Sequence, residues 1–397
     1  MEKKHLLSAL LISSSVSIGY MPTLFADNIH QDIEEQKLLE TLKSTSEFDL
    51  DHAIKTVSQL ISLNPNFKLA NLLYADLMMA KAHAFTGVGS QLGEQEQTRE
   101  LIDEARARWQ HLNNHGRAGL IPANLLRLHD EQEYVIVIDT SHSRLFLFRN
   151  QAGKVNLIED YYVSIGKNGA DKQKEGDKRT PLGVYFVNSF LSPDKLPDYY
   201  GRGAFPINYP NQWDQRKDRT GYGIWLHGNP LDSFSRPPLA SDGCVTINNR
   251  DFEHLMQFID TDGTTPVVIG RNLQWVNPNQ VNATRDELDR FISQWKQDWE
   301  SLDSNRYLSH YAENFQSGRK DQQQWFAQKQ QVNADKTWVK VKLDNLSIFQ
   351  YPEENIVLVK FMQNYSSNNY NNHSVKTQYW SKQEDGEWKI IYEGSAS

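Results

Sequence analysis

The feature that most constrains this chain is a change in hydrophobic patterning at Glu133. Before it, Ala53, Ile54, Val57, Leu60 and Ile61 fall on one helical face up to the break at Asn64-Pro65-Asn66, and Leu69, Leu72, Leu73, Leu77 and Met78 continue at the same spacing. After it, short β-rich runs at 134–139, 144–148, 160–165, 183–188, 223–226 and 267–270 are separated by polar loops. Helix faces collect residues three and four apart while strand faces collect alternate residues, so one segment cannot serve both patterns. A helical accessory segment over 27–132 therefore precedes a mainly-β domain over 134–270. The two N-terminal helices resemble a single tetratricopeptide-like hairpin; one repeat is too few for a solenoid, so they read as core-forming helices.

A third pattern follows Asn277-Pro278-Asn279-Gln280, which reads as a linker within 271–284. Thr284 and Glu287 have the spacing of a capping box for a helix in which Phe291, Trp295 and Trp299 recur every four residues. Runs at 338–343, 355–365 and 387–392 read as long strands, giving a helix-then-sheet α+β domain over 285–397. A length of 397 residues agrees with several domains, because single cores stop growing well before that size.

Lys3 and Lys4, the apolar stretch 6–12, Pro22 and Leu24-Phe25-Ala26 have the grammar of a signal peptide over 1–26, so export to the periplasm is expected. The net charge of −8 gives no electrostatic footprint for nucleic acid. With one cysteine, an intramolecular disulfide is impossible. A lone thiol in an oxidising compartment is either buried as a small hydrophobe or retained for its reactivity.

The chemistry-bearing candidates are His227, ending Gly223-Ile224-Trp225-Leu226-His227-Gly228, and Cys244, within Ser241-Asp242-Gly243-Cys244-Val245. An imidazole within reach of a thiol takes its proton and later returns it to a leaving amine. Gly243 permits a tight turn that presents the sulfur and backbone N–H groups to a developing oxyanion. Spacing alone does not decide for this pair, since an isolated Cys or His is as well explained by simple burial. There is no His-Glu-x-x-His pattern, no phosphate-cradling glycine loop and no dinucleotide fingerprint, so no metal or cofactor is expected. Glu159 and Asp160 adjoin in a β run and point to opposite faces, which speaks against paired-carboxylate glycosidase work.

This region resembles the L,D-transpeptidase catalytic domain, whose motif is His-Gly after a strand, a gap, then Ser/Thr-His-Gly-Cys. The matching positions are His227, Gly228, Ser241, Gly243 and Cys244, with family-like pieces upstream at 164–167, 179–183 and 205–210. Asp242 stands where the family has His, and Thr246 where it often has Arg. The resemblance implies Cys244 as nucleophile, His227 as base, and support of the oxyanion turn by Gly243, Ser241 and Gly228. It implies peptidoglycan stem peptides as partners and 3-3 crosslinks as product, with L,D-carboxypeptidase trimming as the alternative. A non-catalytic wall-binding scaffold is the rival from another class. Asp242, Thr246, Trp225 and Tyr199 are the substrate-side candidates.

The layout as a whole resembles a subgroup ending in a cone-like domain similar to nuclear transport factor 2 (NTF2-like). There the cone is associated with homodimerisation or with holding substrate. The charged run 171–179 reads as a solvated loop, and residues 201–218, rich in Gly, Pro and Asn, as a mobile lid.

Overall fold

A computed structural model describes residues 33–89, 95–112 and 117–395, and the signal-peptide expectation for 1–26 lies outside them. The described chain opens with α1 (Ile33–Ser46), α2 (Leu50–Leu63), α3 (Lys68–Lys81) and α4 (Gln95–Leu112). The Asp49 side chain caps α2 by accepting from the His52 N–H, and α2 stops at Asn64, whose successor Pro65 disfavours further helix. Leu38, Ala53, Val57, Leu60, Leu69, Leu73, Leu77 and Leu101 bury a core of their own between these helices. No described helix is long and apolar enough to cross a membrane.

Twelve strands follow: β1 (Ile121–Pro122), β2 (Leu125–Arg127), β3 (Tyr134–Asp139), β4 (Arg144–Gln151), β5 (Lys154–Gly166), β6 (Gly183–Phe186), β7 (Ala204–Pro206), β8 (Trp225–His227), β9 (Leu239–Ser241), β10 (Val245–Ile247), β11 (Pro266–Gly270) and β12 (Trp275–Val276). Two short helices, α5 (Gln212–Arg216) and α6 (Asn249–Leu255), lie among them. The central sheet runs β6-β11-β3-β4-β5-β10-β8-β7, with β9 set against β5. Ile136, Ile138, Leu145 and Leu147 face one core together with Phe205, Leu226, Val245 and Ile247. The alternate residues Val135, Val137, Phe146 and Phe148 face another. Burial on both faces explains why these strands read as nearly unbroken apolar runs.

The chain ends with α7 (Asn282–Glu300), α8 (Ser304–Leu308), β13 (Tyr311–Ser317), β14 (Lys320–Asp321), α9 (Gln322–Ala334), β15 (Val339–Gln350), β16 (Ile356–Ser367), β17 (Asn371–Lys382) and β18 (Trp388–Ser395). The second sheet runs β14-β13-β18-β17-β16-β15-β2. Val135, Val137, Phe146 and Phe148 belong to the same apolar cluster as Trp295, Phe349, Val357 and Tyr379, so the two β domains share one core.

Four expectations change. The segment 271–284 is no free linker: β12 pairs with β1, Trp275 packs edge-on against Phe146 at 4.9 Å, and Val281 is buried. Its Asn-Pro-Asn-Gln stretch closes a one-turn helix, with Asn277 and Gln280 forming the capping box. Thr284 and Glu287 lie inside α7 instead, where Glu287 accepts from Lys382 and Trp388. The segment 27–132 is not wholly helical either, because β2 forms the edge of the C-terminal sheet against β15. The lid expectation for 201–218 also fails: α5 carries its own capping box, Trp213 stacks on Tyr379 at 5.1 Å, and Asn211 donates to the Tyr351 hydroxyl at 3.2 Å. Its turn residues build a strap across both β domains rather than a free loop.

Candidate active site

Strands β8 and β10 run parallel, with Leu226 opposite Val245 and His227 opposite Thr246. Directly paired residues point to the same side of a sheet and successive ones to opposite sides. Leu226, Val245 and Ile247 enter the core, which turns Trp225, His227 and Thr246 to the other face. Cys244 precedes β10 by one residue and continues that face by the same alternation. Apolar residues thus anchor the two strands from below, and the two candidate reacting groups stand above.

His227 is 0% exposed. Its Nδ1 lies 2.6 Å from the Gly228 carbonyl oxygen, which can only accept, so Nδ1 carries the proton and Nε2 the lone pair. Nε2 is buried and has no hydrogen-bond partner among the described residues. The Tyr200 ring meets the imidazole edge-on at 4.9 Å and the Tyr199 ring lies at 5.8 Å. Burial pulls the imidazole pKa down to about 4, against the bond to Gly228, and the Arg236 charge lowers it further.

The Cys244 sulfur lies 3.4 Å from the Gly223 carbonyl oxygen. Burial pushes the thiol up to about 11; a Trp225 backbone N–H opposes the rise and the Asp242 charge adds to it. At rest near neutral pH the site therefore holds a neutral thiol and a neutral imidazole.

The turn before the cysteine is tightly built. Gly243 adopts φ +130°, and a Cβ there would come within 2.9 Å of the Arg179 carbonyl oxygen, so only glycine fits without strain. The Ser241 hydroxyl donates to the Cys244 carbonyl at 2.6 Å and accepts from the Gly243 N–H at 3.1 Å. Thr180 donates to the Gly243 carbonyl at 2.9 Å from the far side. At Gly228 a Cβ would meet Asn249 Oδ1 at 2.3 Å.

The remaining candidates lie around this pair. Asp242 has a 70% exposed side chain with Lys167 at 3.6 Å and Lys178 at 3.8 Å, on the rim. Thr246 is buried, and its hydroxyl has no partner among the described residues. Trp225 packs against Tyr200 at 4.9 Å. The exposed Tyr199 accepts from Arg236 at 3.0 Å.

The L,D-transpeptidase catalytic domain family matches residues 133–269, and the Cds6 C-terminal NTF2-like domain family matches 287–394. The structure is similar to that of Bd1075 from Bdellovibrio bacteriovorus, with 34% identity over 70% of this chain and 98% of that one, at a TM-score of 0.61. This chain belongs to the L,D-transpeptidase family. It is also similar to a variant of the helical cell shape determining protein Pgp2 from Campylobacter jejuni, with 26% identity over 71% of this chain and 96% of that one, at a TM-score of 0.59. No curated protein matches it.

As an L,D-transpeptidase-family enzyme the chain modifies peptidoglycan. One charged neighbour of the site, Arg236, was not singled out in the sequence. Its only signals there are its place between the two halves of the motif and the Pro237-Pro238 pair that stiffens the chain after it.

Proposed function

We propose that this enzyme removes the terminal D-alanine from peptidoglycan tetrapeptide stems through a thioester on Cys244, with water as the acceptor. The observation that carries the reading is the buried, unpartnered Nε2 of His227 on the strand face that Cys244 shares. The sulfur attacks the carbonyl of the third stem residue while its proton passes to Nε2. The carbon–nitrogen bond to D-alanine breaks, and the imidazolium returns the proton to the leaving amine. Water then attacks the thioester and gives a proton to His227, which restores it to the departing sulfur. Because Ser241 engages the Gly243 N–H, we assign the oxyanion to the Cys244 N–H. A donor of this kind is worth roughly 100-fold in rate.

The rim supports water over an amine. Lys167, Lys178 and Arg236 outnumber Asp242, so the local field favours the carboxylates of a stem and opposes an incoming ammonium. Similarity to a cell shape determining protein agrees with an enzyme that edits stems. A second reading, resolution by a neighbouring stem amine to give 3-3 crosslinks, is favoured by the family's typical reaction and by the carboxylate of Asp242 on the rim. Either reaction places the enzyme in the periplasm, in keeping with the leader pattern at 1–26.

Incubation of the purified protein with disaccharide tetrapeptide separates the cases. Tripeptide with free D-alanine is the expected result, and crosslinked dimers would replace it with the second reading. Neither product, together with a Cys244 that takes no carbapenem adduct, would leave a wall-binding scaffold.

A further inference from the structure

The helical segment lies outside both matched family regions, and nothing above gives it a part in the chemistry. It nevertheless grips the loop 228–238 between β8 and β9, which has no helix or strand of its own. The Phe234 ring packs on Phe67, just before α3, at 4.5 Å. The Ser235 hydroxyl donates to Glu104 at 2.6 Å and accepts from Arg108 at 2.7 Å, both on α4. Glu104 and Arg108 are buried with their side chains 3.0 Å apart, and burial pushes the Glu104 carboxyl up to about 8 while the bond from Ser235 opposes the rise. Buried polar groups hold their geometry only when their donors and acceptors are met, which the Ser235 hydroxyl helps to do.

The next residue faces the other way. The Arg236 carbonyl accepts from the Tyr162 hydroxyl and from Ser164, each at 3.0 Å, and the Tyr162 ring carries the Arg108 guanidinium 3.8 Å above it. The Arg236 guanidinium donates to the Tyr199 hydroxyl and to the Ala240 carbonyl, and its charge is felt by both His227 and Cys244. A guanidinium has five N–H donors, so these two bonds leave others for a ligand. No carboxylate among the described residues forms an ion pair with it.

We propose that Arg236 binds the terminal carboxylate of the stem peptide, and that the helical segment, through Phe234 and Ser235, holds it in place. The proposal deepens the reading of the active site above and rests on it for the identity of the carboxylate.

The single cysteine gives a direct readout. Alkylation of Cys244 by anionic iodoacetate and by neutral iodoacetamide yields a rate ratio that cancels changes in thiolate fraction. Arg236→Gln should lower that ratio about tenfold, as expected for loss of a focused charge, while Arg236→Lys keeps most of it. Ser235→Ala and Phe234→Leu, checked for intact folding by circular dichroism, should lower it two- to fivefold, on the order of a partly displaced charge. With stem peptides, the preference in kcat/KM for a free over an amidated terminal D-alanine should fall roughly 10- to 100-fold in Arg236→Gln. An unchanged alkylation ratio in Arg236→Gln overturns the role of the arginine. A ratio that falls there but stays at the wild-type value in the Ser235 and Phe234 variants overturns the role of the helical segment. Failure of the stem-peptide reading looks different: no variant would process stems, yet the alkylation ratios would still shift.

Discussion

Burial acts on His227 and Cys244 in opposite directions and with the same result, because each is driven toward its uncharged form. A thiol pushed up to about 11 reacts slowly with neutral electrophiles at pH 7, so iodoacetamide labelling of Cys244 should accelerate steadily from pH 7 toward 11. A rate already flat below pH 7 would mean a preformed thiolate and would refute the neutral pair. The imidazole also leaves a mark on stability. Its pKa is about 4 when folded and near 6.5 when unfolded, so as pH falls through this window the unfolded chain takes the proton first and stability is lost. The loss amounts to about 3 kcal/mol by pH 4. Denaturant midpoints at pH 7 and pH 4 should draw together by that amount in His227→Gln, and an equal loss in both proteins would show that the imidazole is freely protonated in the fold. At Gly243 the φ of +130° and the nearby Arg179 carbonyl predict that Gly243→Ala costs about 1–3 kcal/mol and most of the activity, read from thermal melts and turnover.

At the scale of elements, the sequence was most legible where a strand has one clear job. The runs of β3, β4 and β11 stand out because both faces are apolar, and the His227 strand stands out because Leu226 anchors it while Gly228 ends it. Strand β17 was not legible. Its stretch Asn371-Asn372-His373-Ser374 is polar, and the strand is held by eleven paired positions along β16, with Tyr379 and Trp380 reaching the core only in its second half. The pairing of β1 with β12 joins residues more than 150 apart, which no local pattern can announce. The Gly, Pro and Asn content of 201–218 suggests a mobile lid, and the segment is fixed instead because its anchor, Trp213 on Tyr379, lies in another domain, beyond the reach of local composition. Trp213→Ala should therefore cost roughly 3–5 kcal/mol and open 201–218 to proteases that spare the native chain. Equal resistance in the two proteins would return the segment to the status of an independent lid.

Across the whole molecule, two kinds of junction hold three parts together. The helical segment has a separate core and meets the catalytic domain through charged pairs, Glu35 with Arg144 and Glu34 with Arg250, beside the single ring contact of Phe234 on Phe67. The catalytic and C-terminal domains have no such boundary, since Val137 and Phe146 lie in one apolar cluster with Trp295 and Val357. Polar junctions part more readily than shared cores, because only the latter expose large apolar surface on separation. Calorimetry should accordingly show an early transition for the helices and one later transition for both β domains together, the calorimetric and van't Hoff enthalpies of the later one agreeing. A chain ending at residue 276 would leave the Val135, Val137, Phe146 and Phe148 face open to water, and it should aggregate on size-exclusion chromatography rather than run as a monomer. A soluble, cooperative catalytic domain from that truncation would show that the shared core is only a contact between independent units. The C-terminal domain would then have to be understood through its ligands alone.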